Sequence, residues 1–232
     1  MIIINDRAVD CNAPVITWHE SGLQIRPPRG AGCRREEPRK FVLHWTGGEN
    51  PASTVFRTLQ SRGRLGLGVD FCIDRDGTIY QFLDPAIHYG YHVGWRHNPS
   101  SIGVEIANYG FRWPVWLKWN LRKVPERARD REIYKVRFRR VRHYIANFYD
   151  VQIRAVFALM DSLTRAFPEI ERKVPKDAKH AYKHYTLPRK EAVNFCGILG
   201  HYHISKRKTD PGPFLIEEVD RYINEGKNGY VY

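Results

Sequence analysis

The chain has 232 residues, 42% of them hydrophobic and 27% charged, which suits one elaborated globular domain in the usual range of about 100–200 residues. No stretch approaches the roughly 20 apolar residues needed to cross a bilayer, so no transmembrane segment is expected. Thirty-eight Lys and Arg against 25 Asp and Glu leave +13 with histidine neutral, a surplus that points to an anionic partner without naming it.

Ile2-Ile3-Ile4, the polar break Asn5-Asp6-Arg7 and Ala8-Val9 suggest a short hairpin. The apolar run falls far short of a signal core of roughly 7–15 residues, so synthesis in the cytoplasm without a leader is expected. Pro27, Pro28, Gly30 and Gly32 mark a loop, and residues 1–39 are read together as an N-terminal hairpin and loop extension. From Lys40 the texture changes. Phe41 to Trp45 predicts a buried strand stopped by Gly47-Gly48, and Pro51 to Leu59 a helix. Val69–Ile73 and Thr78–Phe82 flank Asp74-Arg75-Asp76-Gly77, a hairpin signal because Asp-Gly suits a turn with positive φ. Ser101 to Ala107 is an apolar run with one acid, Glu105. Asp150 to Phe167 carries apolar residues at helical spacing and ends at Pro168, a helix of about five turns. Phe195 to Leu199 predicts the last strand and Phe214 to Ile223 a closing helix. The mixture of strands and helices predicts an α/β fold, a single domain with a mixed central β-sheet flanked by helices. The four scattered cysteines form no Cys-x-x-Cys pair and read as small packing residues.

Between 111 and 145 twelve basic residues face three acidic ones, so +9 of the +13 lies in this stretch, which opens with Trp113, Trp116 and Trp119. It reads as an inserted basic, Trp/Arg-rich segment. Arg and Trp together can bind single-stranded nucleic acid, but charge alone is non-specific and a basic run is more often a solvated face. Nucleic acid is not the expected partner.

Among ten histidines, placement selects. His44 ends a strand before a glycine pair, and His201 follows Gly197-Ile198-Leu199-Gly200 as strand then loop. Asp210 comes nine residues later. Two imidazoles and a carboxylate are a usual catalytic zinc set with one position left open. His203 competes with His201 on spacing alone, and each of these residues also has a purely structural reading.

Four stretches in order carry a resemblance: Phe41-Val42-Leu43-His44-Trp45-Thr46-Gly47-Gly48; Asp74-Arg75-Asp76-Gly77-Thr78-Ile79; Ser101-Ile102-Gly103-Val104-Glu105-Ile106; and Gly200-His201 through Lys208-Thr209-Asp210-Pro211-Gly212-Pro213. Together they resemble the zinc-dependent N-acetylmuramoyl-L-alanine amidases, the family that includes phage T7-type lysozymes and peptidoglycan recognition proteins, over about residues 40–225. The resemblance implies Zn2+ as cofactor, held by His44, His201 and Asp210, with Glu105 as the proton-transferring acid and Lys208 as the group that stabilises the oxyanion. The family's Gly-His pattern selects His201. His92 with Asn98 resembles a groove-lining His-x-Gly and Asn, with His88 a second match, and Trp45 and Thr46 are expected to line the same cleft.

Three departures stand out. Val69-Asp70 replaces a Tyr-His of some relatives, the His201–Asp210 loop is basic and a residue shorter than in several relatives, and the 111–145 segment has no counterpart. The implied function is hydrolysis of the bond between N-acetylmuramic acid and L-alanine in peptidoglycan by a monomer, as a phage-type endolysin acting on the cell wall. On that reading the basic segment holds an anionic wall polymer. A muropeptide-recycling enzyme in the cytoplasm and a non-catalytic peptidoglycan-binding module are the alternatives.

Overall fold

A computed structural model describes residues 1–62, 64–112, 131–138 and 141–226. The chain opens with an antiparallel hairpin, β1 (Ile2–Ile4) and β2 (Arg7–Val9), turned by Asn5 and Asp6. Both turn residues have positive φ, which short polar side chains tolerate. Then come β3 (Val15–Ile16), the single helical turn α1 (Trp18–Ser21), β4 (Ala31–Cys33) and β5 (Lys40–Trp45). Helix α2 (Ala52–Gln60) precedes the hairpin of β6 (Phe71–Ile73) and β7 (Ile79–Gln81), followed by β8 (His88–Gly90) and β9 (Ser101–Ile106). Strands β10 (Gly110–Arg112), β11 (Ile133–Phe138) and β12 (Val141–Ala146) lead to α3 (Asp150–Ala166) and α4 (Arg189–Asn194). The chain closes with β13 (Gly197–Gly200), the turn α5 (His201–Ile204) and α6 (Pro213–Glu225).

The central sheet has six strands in the order β13-β5-β9-β6-β7-β3, antiparallel only between β6 and β7. Gly77 makes the β6–β7 turn with φ +85, and a Cβ there would fall 2.7 Å from the Val151 carbonyl oxygen, so the glycine also lets α3 approach.

Alternation along the strands decides the layering, because successive side chains point to opposite faces. Phe41 and Leu43 of β5 and Ile102, Val104 and Ile106 of β9 join Ile198 in one core, covered by α3 and α6. Helix α3 contributes Ile153, Val156, Phe157, Met160 and Leu163, and Phe157 stacks on Tyr222 of α6 with ring centroids 4.2 Å apart. The other face carries Val42 and His44 of β5 and Ser101, Gly103 and Glu105 of β9. Small, polar and ionisable residues therefore occupy one side of strands whose other side is wholly apolar. Two smaller apolar clusters, around Val42 and Leu199 and around Cys72 and Phe82, underlie this second face.

The first 39 residues are built into this frame. Ile2 and Ile4 are buried in the main core, and β3 forms one edge of the sheet. The Gly-rich stretch read as loop contains β4, which pairs antiparallel with β8; Gly32 lies so close to Tyr89 that a Cβ would meet its ring at 2.5 Å. From the 111–145 stretch, β10, β11 and β12 form a separate three-stranded antiparallel sheet, with Tyr144 and Ile145 buried. Trp113, Trp116 and Trp119, with the basic residues from Lys118 to Arg129 and Arg139 and Arg140, lie outside the described residues. Among the described residues no helix is long and apolar enough to cross a membrane.

Candidate active site

Three neighbouring parallel strands, β13, β5 and β9, end at one rim of the sheet, the usual ligand position in open α/β sheets. His44 is paired in register with Glu105, so both side chains leave the same face. His201 follows directly on β13 and opens α5, a helical turn rather than the loop the sequence suggested. The return chain reaches the rim at Asp210, tied by the Tyr202 N–H to the Asp210 carbonyl at 3.1 Å. Gly200 permits the approach, since a Cβ there would lie 2.8 Å from Pro211 Cδ.

His44, His201 and Asp210 are all buried, and their ligating atoms lie within 4.8 Å of one another. Asp210 Oδ2 sits 3.1 Å from His44 Nδ1 and 3.1 Å from His201 Nδ1. Burial pulls the His44 pKa down to about 4, with His201 adding to the effect and Asp210 opposing it. The imidazole is therefore neutral at pH 7, with a lone pair to give. Burial pushes the Asp210 carboxyl up, but the His201 charge and the hydrogen bonds of both histidines together outweigh it and hold the group below the carboxylate range. Glu105 is different in kind. Its Oε2 is buried without a hydrogen-bond partner. Burial, then the Asp210 charge, push its pKa well above the ordinary value while Lys208 pulls the other way. An orphaned carboxylate oxygen beside two imidazoles and an acid fits a bound cation with an associated water.

These groups converge in one cleft of two joined cavities, about 250 and 210 Å³, which share Trp45, Thr46, Leu59, Leu67, Glu105 and Lys208. The first also takes in His44, His92, His201 and Asp210, and the second runs along α2 past Thr58 and Arg62. Wider surface grooves at residues 34–38 and 188–196 hold none of the three donors. The sequence-predicted residues His44, Trp45, Thr46, His92, Glu105, His201, Lys208 and Asp210 therefore meet at one place. Asn98 does not line it; its amide oxygen accepts the His92 and Val93 N–H groups instead. His88 lies on β8 outside the cleft. Val69 lines the cleft, whereas Asp70 is buried, accepting the Gly103 N–H at 2.8 Å. Sequence reading missed Leu59, Leu67 and Tyr91, which also line the cleft; only the fold brings them there.

His203 has both ring nitrogens engaged elsewhere: Nδ1 accepts the Gly200 N–H at 3.0 Å and Nε2 donates to the Lys183 carbonyl at 2.9 Å. Burial pulls its pKa down to about 3 despite those bonds. Unfolded, the same ring takes a proton near pH 6.5, so its contribution is intact above that pH. Below it, stability falls at up to about 1.4 kcal/mol per pH unit. His203→Gln is expected to flatten the dependence of unfolding free energy on pH by about that slope between pH 6 and 4, measured by urea titration. An unchanged slope would place the proton uptake elsewhere.

The family profile for N-acetylmuramoyl-L-alanine amidase (Amidase_2) matches residues 34–213, a span that takes in every one of these groups. The chain belongs to this amidase family. Solved structures agree on the fold. A selenomethionine derivative of AmpD covers 96% of this amidase and 99% of its own chain, at 18% identity and a TM-score of 0.54. The endolysin LysCS of Clostridium intestinale URNW covers 94% and 99%, at 16% identity and a TM-score of 0.52. The Ph2119 endolysin from the Thermus scotoductus MAT2119 bacteriophage covers 88% and 98%, at 15% identity and a TM-score of 0.50. No curated protein matches the sequence.

Proposed function

We propose that this amidase is a zinc-dependent hydrolase of the bond between N-acetylmuramic acid and L-alanine in peptidoglycan, acting on the cell wall as a phage-type endolysin. The observation that carries the reading is the buried His44–His201–Asp210 cluster with the unpartnered Glu105 Oε2 beside it. His44, His201 and Asp210 would hold the metal, and zinc bound there would supply Lewis acidity and an activated water at neutral pH. Glu105 takes the proton from the attacking water and returns it to the leaving L-alanine nitrogen, a transfer suited to a carboxylate whose proton affinity has been raised. Lys208, on the cleft wall shared with Glu105, places its ammonium toward the charge that develops on the carbonyl oxygen. Trp45 and Thr46 flank the reacting amide, and the basic segment holds the enzyme on an anionic wall polymer.

A non-catalytic binding module is the weaker reading, because a site that only holds muropeptide has no use for an orphaned acid beside a complete donor set. The recycling alternative keeps the same chemistry on small soluble fragments. Chelator treatment is expected to abolish turbidity loss of cell walls, with zinc restoring it. His44→Ala and Asp210→Ala are expected to hold no zinc and cause no lysis. A zinc-replete preparation that retains muropeptide but never cleaves it would sink the enzymatic reading. Efficient cleavage of soluble muropeptides with intact walls untouched would move the assignment to recycling.

A further inference from the structure

Sequence reading set His92 along the substrate groove; it lines the cleft, and its ring is also hydrogen-bonded to His44. His44 has a partner at each ring nitrogen: Nδ1 faces Asp210 Oδ2 at 3.1 Å, and Nε2 faces His92 Nδ1 at 2.9 Å. The two rings meet edge-on with centroids 5.1 Å apart. On its far side His92 Nε2 lies 3.1 Å from the hydroxyl of Ser101, a fully buried residue, and that hydroxyl reaches the Asn98 carbonyl at 3.4 Å. The His92 backbone is fixed by the Asn98 amide oxygen at 3.2 Å. Gly103 provides the seat, since a Cβ there would fall 2.6 Å from His92 Nδ1. Ser101 and Gly103 share a face of β9 with Glu105, so one strand supplies the anchor and the space for this ring.

Proton accounting gives the chain of bonds a direction. A neutral imidazole carries one N–H. For His44 to offer the Nδ1 lone pair to a metal, its proton must be on Nε2 and must be donated to His92 Nδ1. His92 then carries its own proton on Nε2, toward Ser101 Oγ, whose proton points to the Asn98 carbonyl. With a metal on Nδ1, His92 and Ser101 each donate once and accept once while His44 donates at Nε2; without the metal the same contacts run the other way, from His44 Nδ1–H to Asp210. A partner on the far nitrogen of a metal-binding histidine fixes its tautomer and ring orientation, and losing one costs about 10–100-fold in metal affinity.

We propose that His92 is a positioning residue: it accepts the Nε2–H of His44 and holds that ring in the tautomer and plane that present Nδ1 to zinc, with Ser101 and Gly103 fixing His92 in turn. The inference rests on the zinc reading of the donor cluster. Its test is zinc affinity by chelator competition, together with the visible spectrum of the cobalt-substituted protein. His92→Phe, which cannot accept, is expected to weaken zinc binding about 10–100-fold and to change the cobalt bands. His92→Gln, whose amide oxygen can accept, is expected to recover part of that loss. Gly103→Ala keeps the imidazole but displaces it, and is expected to weaken binding in the same direction. Should those variants not fold, Ser101→Ala, which removes one oxygen, decides alone: reduced zinc affinity supports the relay and wild-type affinity overturns it. Wild-type zinc affinity and cobalt spectrum with a raised KM for muropeptide would leave His92 a groove residue only and overturn the proposal. A wild-type protein that binds no zinc would overturn both this proposal and the function it rests on.

Discussion

Glu105→Gln is expected to bind zinc as the wild type does and to lose roughly 10²–10⁴-fold in kcat, the usual contribution of a positioned proton-transfer group. The substitution keeps the shape of the side chain and removes its charge and its ability to take a proton. Glu105 lies in register with His44 yet is outside the donor cluster, so the metal site should be indifferent to the change. By contrast, losing His44 or Asp210 removes a donor. Metal content and kcat therefore separate the two kinds of residue in one series of variants. The pH profile gives a second readout. The base form of Glu105 must be present at the start of the reaction, so kcat rises with pH through its pKa. Burial and the Asp210 charge raise that pKa in the metal-free site, whereas a bound zinc ion, itself a positive charge, pulls it down. In Glu105→Gln the rise is expected to vanish with the activity. Normal kcat in this variant would remove Glu105 from the mechanism.

The central strands and the long helices were legible because each depends on a local pattern. The apolar run Phe41 to Trp45, the Asp-Gly turn at Asp74–Gly77 and the helical spacing of α3 each produced the element expected, since a buried strand, a turn of positive φ and a one-sided helix each leave a local mark. The donor set was legible only through the order of its motifs, since spacing left His203 level with His201; the fold separates them by giving His203 other partners for both nitrogens. Two features were hidden. The glycines around 30–32 read as loop, whereas β4 needs Gly32 because the Tyr89 ring lies against it. In β11, Tyr134 and Val136 are partly buried while Lys135 and Arg137 are exposed. A count of charges sees only the basic half of that alternation. The role of His92 was illegible for a third reason: its partners, His44 and Ser101, meet it only through the tertiary fold.

The basic segment splits into two parts with different expected roles. Strands β11 and β12 are keyed to the cleft. Tyr134 stacks on Phe214 at the start of α6 with centroids 4.6 Å apart, and Ile145 packs so close to Gly212 that a Cβ there would lie 2.6 Å from Ile145 Cδ1. Both contacts bear on the chain just after Asp210. Arg131 is clamped by Glu49, donates to Asn108 Oδ1 at 2.9 Å and stacks over Tyr149 at 4.3 Å, while the Asn108 side chain donates to the Ala146 carbonyl at 2.8 Å. Removing residues 111–145 is therefore expected to cost far more than wall attachment. Burial of Ile145 alone stabilises by about 1.5–3 kcal/mol, Tyr144 is buried beside it, and the Asp210 segment loses its backing. Residues 113–130 carry the three tryptophans and five basic residues against two acidic ones. Deleting only these, with a short flexible join, is expected to leave cleavage of small soluble muropeptides close to wild type and to weaken co-sedimentation with intact walls. The difference should be largest at low salt, where exposed charges are least screened. Soluble cleavage that collapses in the 113–130 deletion would place that segment in the cleft. Unchanged wall binding at low salt would overturn the wall-holding role of residues 113–130.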